Sequence, residues 1–368
     1  MKLAIDYRMH RHTGVGTYLT RLIPEVVRRM PDDQFVLLVN PGDEPDTAWP
    51  GNVRLQPLAF PCPVYSIREQ VGVPLALLKC RPDLYHCPHF NLSLAWGGPI
   101  VVTIHDLIYL LMPESCPGPL ARLYARIMYR TACRRARLVL VNSEFTGRDV
   151  REHLGIPSER VRVTPLGAPP RNDGPARPGE LEALRTLGVE PPFVLFVGLQ
   201  SPHKNVVRLI EAFCGEPDLV ARCQLVLAGK IEARRVEVAR AVEVARPAGR
   251  VVRTGFVSDA TLDALYRHAA AFVLPSLYEG FGLPVLEAMA RGTPVAASLA
   301  ASIPEAAGDA AVYFDPRSLP QMSAAIRRLL DEPGLADSLR QKGFEQIRRM
   351  SWERCAELTV EGYRAAAG

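Results

Sequence analysis

The segment Pro275-Ser276-Leu277-Tyr278-Glu279-Gly280-Phe281-Gly282-Leu283-Pro284-Val285-Leu286-Glu287 decides the reading of this chain. It follows an apolar run, Ala271 to Leu274, that reads as a buried strand, and it continues through Ala288-Met289-Ala290-Arg291 to Gly292-Thr293-Pro294. Gly280 and Gly282 allow backbone conformations closed to other residues and place no side chain in a ligand's way. Pro284 suits the first turn of a helix that Gly292 would stop. A short helix is therefore expected from near Pro284, its free N–H groups turned toward the loop, where they favour an anion such as phosphate. Glu279 and Glu287 would repel that anion unless they face hydroxyls, as a carboxylate does on a ribose diol. Glu287, placed in the first helical turn, can reach such a diol, and Glu279 meets whatever lies beyond the phosphates. Hydroxyls, then phosphate, then more hydroxyls describe a nucleotide-sugar.

Two glutamates separated by seven residues, in the setting Glu-Gly-Phe-Gly-Leu-Pro-Val-Leu-Glu-Ala-Met-Ala, resemble the signature of the retaining glycosyltransferases of family 4. The resemblance implies an α/β GT-B fold, two Rossmann-like doubly wound parallel-sheet domains facing across a cleft. It also implies transfer of a hexose from a nucleotide-diphosphate donor to a hydroxyl acceptor.

The rest of the chain can be read against this expectation. Its 368 residues, 48% of them hydrophobic, are enough for two globular cores. Short apolar runs alternate with helical patterns, as in parallel sheets with crossover helices. Strands are expected at Leu3 to Tyr7, Phe35 to Val39, Leu84 to Cys87, Ile100 to Ile104, Leu138 to Val141 and Val161 to Thr164. A second set is expected at Phe193 to Val197, Leu225 to Ala228, Val251 to Thr254, Ala271 to Leu274, Val295 to Ala297 and Ala311 to Phe314. Five prolines between Pro165 and Pro178 resist regular structure. The expected division is an acceptor domain over residues 1–170, a linker over 171–188 and a donor domain over 189–350. Residues 351–368 form a terminal helix that, by the resemblance, packs back on the first domain. The ligand is expected where the two sets of strand ends face each other.

After the strand Phe193 to Val197 comes Gly198-Leu199-Gln200-Ser201-Pro202-His203-Lys204-Asn205. A lysine between a strand end and a helix start can neutralise a phosphate. The family pattern is close to G-x-x-x-x-R-K-N, so the resemblance implies that Lys204 binds the diphosphate, with His203 standing where arginine is usual. His203 lacks the permanent charge and fork geometry of arginine, so it either donates one hydrogen bond or leaves the task to Lys204.

Gly14-Val15-Gly16 precedes an expected helix, Thr17 to Arg28, and resembles the family's glycine loop at the donor phosphates. By itself a lone G-x-G pair is weak evidence, because Leu19 occupies the place of the third glycine of a dinucleotide fingerprint. Val102-Thr103-Ile104-His105-Asp106 resembles the segment with the family's active-site histidine, which implies that His105 contacts the transferred sugar. Gly255 and Phe256 are expected at the nucleotide base, and Phe281, Gly282 and Leu283 at the diphosphate. His105, Glu279 and Lys204 are thus the expected catalytic residues. His86 and His89 are expected to line a strand end beside the acceptor. Ser302-Ile303-Pro304-Glu305 is expected to be structural.

The resemblance implies no metal and no resident cofactor, only the nucleotide-sugar as co-substrate. GDP-mannose is the first donor expected and UDP-glucose the second; the acceptor is a sugar or a lipid-linked sugar, as in polysaccharide or glycolipid assembly. A nucleotide-sugar epimerase of the same fold is the alternative, and it would release a changed donor without any acceptor. A non-catalytic bilobed binding protein would need export and no diphosphate-neutralising lysine. The eight cysteines are scattered without a C-x-x-C pair, and the net charge of +5 is too small to imply nucleic acid. No apolar run has the length of a membrane span and the amino terminus lacks a signal-peptide core, so a cytoplasmic location is expected. Arg122, Arg126, Arg130, Arg134 and Arg137 recur at helical spacing, a basic stripe that either is solvated or contacts the inner face of an anionic membrane.

Overall fold

A computed structural model describes residues 1–43, 45, 47–230, 236–245 and 250–368. The chain divides into two compact units, Met1–Gly167 with Ser351–Gly368, and Ala168–Met350.

The first unit holds a parallel sheet of β1 (Lys2–Asp6), β2 (Gln34–Val39), β3 (Val53–Pro57), β4 (Leu84–Cys87), β5 (Ile100–Ile104), β6 (Leu138–Val141) and β7 (Val161–Val163). Their spatial order is β3-β2-β1-β4-β5-β6-β7. The second unit holds β8 (Phe193–Val197), β9 (Gln224–Ala228), β10 (Val251–Gly255), β11 (Ala271–Leu274), β12 (Val295–Ser298) and β13 (Ala311–Phe314), ordered β10-β9-β8-β11-β12-β13. Every pairing in both sheets is parallel. Strands covered by helices on both faces are apolar throughout rather than alternating, and β5, β8 and β11 are buried at every residue for that reason.

In each unit the order reverses once, between β1 and β4 and between β8 and β11. Doubly wound sheets open a crevice there, because the loops leaving the two central strands diverge to opposite faces. The register Ala4↔Tyr85 in one sheet and Phe272↔Leu195 in the other sets those strand ends side by side.

All twelve expected strands are present, and β3 is the addition. It is an edge strand with polar residues and two exposed positions, so its sequence carries no continuous apolar run. Inside the stretch expected as a linker, Glu180–Thr186 is helical, buries Leu184 and packs on the helix Asp259–His268 of the second unit. The terminal helix Trp352–Ala367 lies in the first unit and packs on the helix Val15–Arg29. Among the described residues no helix is long and apolar enough to cross a membrane.

Candidate active site

In the second unit the loops after β8 and β11 meet at the switch point and are stitched together. Asn205, in a left-handed conformation, donates its side-chain amide to Pro275 O (3.0 Å) and Pro316 O (2.8 Å). Leu277 N donates to His203 O (2.7 Å). This frame holds the Lys204 ammonium against the Glu279 carboxylate at 2.6 Å and 2.9 Å. Ser276 Oγ donates to Glu279 Oε1 (2.6 Å), and Ser302 Oγ donates to the Glu279 carbonyl (2.8 Å). Burial alone would raise the Glu279 pKa. The charges of Lys204 and His203 and the hydrogen bonds from Lys204 and Ser276 outweigh it, and the net shift is downward. Glu279 is therefore an ionised, doubly held carboxylate. His203 is buried beside Ser201, whose Oγ lies 3.2 Å from Nδ1.

The turn after Glu279 ends at Gly282, whose φ of 107° is the left-handed region that glycine favours. The helix then runs Leu283–Ala290, and no side chain among the described residues caps its amino terminus. Glu287 is thus in the second turn rather than the first. Its carboxylate is half-buried and accepts from Tyr266 Oη at 2.8 Å. Tyr266 is packed under the Arg291 guanidinium, which is bonded to Asp263. Phe281, expected as a ligand contact, has its side chain buried, because the turn points it into the core of this unit. Leu283 is half-buried at the helix start.

Gly255 closes β10, and Phe256 beyond it is 76% exposed, an aromatic face at the sheet's carboxyl-terminal edge. Beside it the sequence reading missed a pair: Arg253 Nη2 donates to Gln200 Oε1 at 2.7 Å. Among the described residues, Arg253 Nε and Gln200 Nε2 are buried donors without a partner. Gln200 sits three residues past the end of β8, a signal available in the sequence. Its meeting with Arg253 is a matter of sheet order.

In the first unit, Gly14 caps the helix Val15–Arg29 with a φ of 77° and open space around it. Gly16 serves packing: a Cβ there would lie 2.6 Å from the backbone oxygen of His10. His105, half-buried at the end of β5, has Nε2 3.0 Å from Pro88 O and its ring edge-on to Tyr18 at 4.9 Å. Burial pushes its pKa down to about 4, the Pro88 carbonyl offsetting only part of the effect. A neutral imidazole donating from Nε2 keeps Nδ1 as an acceptor. His86 does not line an acceptor site. It is fully buried between Thr103 Oγ1 (2.8 Å) and Tyr363 Oη (2.6 Å) and ties the terminal helix to β4. His89 lies against Phe90 and Tyr65.

Residues 12–171 match the model described as Glycosyltransferase Family 4, and residues 184–346 match Glycosyl transferases group 1. The O-antigen chain mannosyltransferase B of Escherichia coli is 31% identical over 315 residues, covering 85% of this chain and 81% of that protein. The chain belongs to the family 4 glycosyltransferases. The serotype-specific mannosyltransferase WbdA of Escherichia coli is 30% identical over 320 residues, 81% of this chain but only 38% of that longer protein. Sucrose-phosphate synthase of Thermosynechococcus elongatus superposes with a TM-score of 0.76 at 21% identity, covering 99% of this chain and 98% of that one. That likeness identifies the fold as GT-B, and the protein is a glycosyltransferase.

Proposed function

We propose that the protein transfers mannose from GDP-mannose to a hydroxyl of a sugar or lipid-linked sugar, with retention of anomeric configuration and without a metal ion. The observation that carries this reading is the Lys204–Glu279 pair, set at the switch point beside an uncapped, glycine-led helix that bears Glu287. One Lys204 proton beyond the two engaged by Glu279 remains for a β-phosphate, and the N–H groups of Gly282 and Leu283 add to it. Glu287, whose second oxygen has no partner among the described residues, accepts from the ribose diol. Glu279 accepts from hexose hydroxyls and steadies the positive charge that develops as the C1–O bond to the diphosphate breaks. The acceptor oxygen then bonds to C1 on the face the phosphate is leaving, and its proton passes to the departing phosphate oxygen. Because Lys204 and Ser276 already engage both oxygens of Glu279, the residue suits a stabilising role, and no covalent intermediate is assigned. In the first unit, His105 offers Nδ1 to a hexose hydroxyl, and Gly14 and Gly16 shape the loop expected at the donor phosphates.

Mannose is chosen because the two Escherichia coli relatives that match 85% and 81% of this chain are named mannosyltransferases. The test is incubation with a panel of nucleotide-sugars and a mannose-terminated acceptor, read by NMR of the anomeric proton. The expected result is an α-linked product from the α-configured GDP-mannose donor. A β-linked product would contradict retention, preference for UDP-glucose would replace the donor, and an isomerised donor sugar without transfer would indicate an epimerase.

A further inference from the structure

The terminal helix Trp352–Ala367 carries a buried tyrosine whose hydroxyl begins a chain of hydrogen bonds leading toward His105. Tyr363 Oη lies 2.6 Å from His86 Nδ1, His86 Nε2 lies 2.8 Å from Thr103 Oγ1, and Thr103 Oγ1 lies 2.9 Å from Tyr18 Oη. All four side chains are buried. Burial pushes the His86 pKa down to about 3, and the neutral imidazole donates at one nitrogen while accepting at the other, so both of its bonds form at once. At the far end of the chain the Tyr18 ring stands edge-on to the His105 ring at 4.9 Å.

The strand ends carry the connection further. Thr103, on β5, stands two residues before His105, and His86, on β4, stands two residues before Pro88, whose carbonyl lies 3.0 Å from His105 Nε2. The Thr103–His86 bridge therefore ties the two strands just beneath the pair that holds the imidazole. Tyr18 belongs to the helix Val15–Arg29, which the terminal helix packs on, so the same chain fastens that helix to the sheet. The residue before Tyr363 sets how deep its hydroxyl reaches: a Cβ on Gly362 would lie 2.9 Å from Leu138 Cδ2, and glycine lets the terminal helix settle onto β6. Apolar side chains of similar shape would fill this space without desolvating polar groups. A fully bonded polar network fixes one geometry instead, which an imidazole that meets a sugar requires.

We propose that Tyr363 is a positioning residue for His105: through His86, Thr103 and Tyr18 it holds the imidazole at the angle from which Nδ1 meets a hexose hydroxyl. The proposal rests on the assigned contact of His105 with the transferred hexose, and it makes turnover depend on the terminal helix.

A double-mutant cycle over Tyr363→Phe and His105→Ala, assayed with GDP-mannose and a mannose-terminated acceptor, tests it. Tyr363→Phe keeps the ring and removes the hydroxyl; it should lower kcat by about fivefold to tenfold while KM for the donor and affinity for GDP stay unchanged. In the His105→Ala background the same substitution should change kcat by less than about twofold, because no imidazole is left to orient. Thr103→Val breaks the chain at another link and should reproduce both results. Independently of turnover, the NMR resonance of the His105 Cε1 proton, which senses the Tyr18 ring, should shift in Tyr363→Phe. An unmoved resonance, an unchanged kcat, or equal losses of kcat in the two backgrounds would overturn the proposal, leaving Tyr363 a packing residue. Full turnover by His105→Ala would overturn the sugar contact of His105 itself, and the proposal with it.

Discussion

Lys204 and Glu279 depend on each other. Each is mostly buried, and removing one partner leaves the other's charge uncompensated. Lys204→Met should therefore destabilise the second unit by about 3 to 5 kcal/mol, the typical effect of breaking a buried pair. Adding Glu279→Gln should recover most of that stability while activity stays abolished, a separation visible by comparing denaturant midpoints with turnover. If stability did not recover, the pair would not be the cause of the loss. Tyr266 acts differently, as a positioning residue. Tyr266→Phe removes the 2.8 Å hydrogen bond that orients Glu287 and should weaken donor binding by about 1 kcal/mol, roughly fivefold in Kd, with kcat little changed. A fall in kcat at constant KM would assign Tyr266 another role.

The helix Leu283–Ala290 begins where it does because Gly282 holds a positive φ that other residues adopt only under strain. Gly282→Ala should cost about 1 to 2 kcal/mol and weaken diphosphate binding, measurable as a lower melting point and a reduced thermal shift with GDP. The element was legible before the fold was known: glycine, proline and glycine mark its limits in one continuous stretch. The central strands were legible for a related reason, since burial on both faces leaves unbroken apolar runs. What stayed hidden depends on sheet order or on long separations in the chain. Edge strand β3 lacks an apolar run. Arg253 reaches Gln200 only because β10, β9 and β8 are neighbours. Phe281 sits within a recognisable motif, yet its burial follows from the direction of the turn.

Across the whole molecule, buried histidines couple stability to pH. His86, tied to Tyr363 in the terminal helix, is held by burial at about 3, with His105 adding to the depression. The unfolded chain takes up this proton as pH falls below about 6.5, while the folded protein stays neutral until about 3. The stabilisation is thus complete above about 6.5 and is lost on the acid side, by about 2 kcal/mol between pH 7 and 5 for this one group. Urea denaturation at the two pH values should show at least that loss; a flat profile would contradict it. Glu279, its pKa depressed, adds a loss only at more acidic pH, as its folded-state pKa is crossed. The sequence could flag His86 as a histidine on a strand, but its seal comes from Tyr363, 277 residues away.

The central claim is that the β8–β11 switch point holds a nucleotide diphosphate through Lys204. Calorimetric titration of GDP into the wild type and into the doubly substituted Lys204→Met, Glu279→Gln protein tests it without leaving a lone buried charge. GDP carries no hexose, so the loss of Glu279 should not enter. The account predicts binding by the wild type and at least about tenfold weaker binding by the variant, from a charge-assisted contact of about 1.5 to 3 kcal/mol. Equal affinities would contradict it.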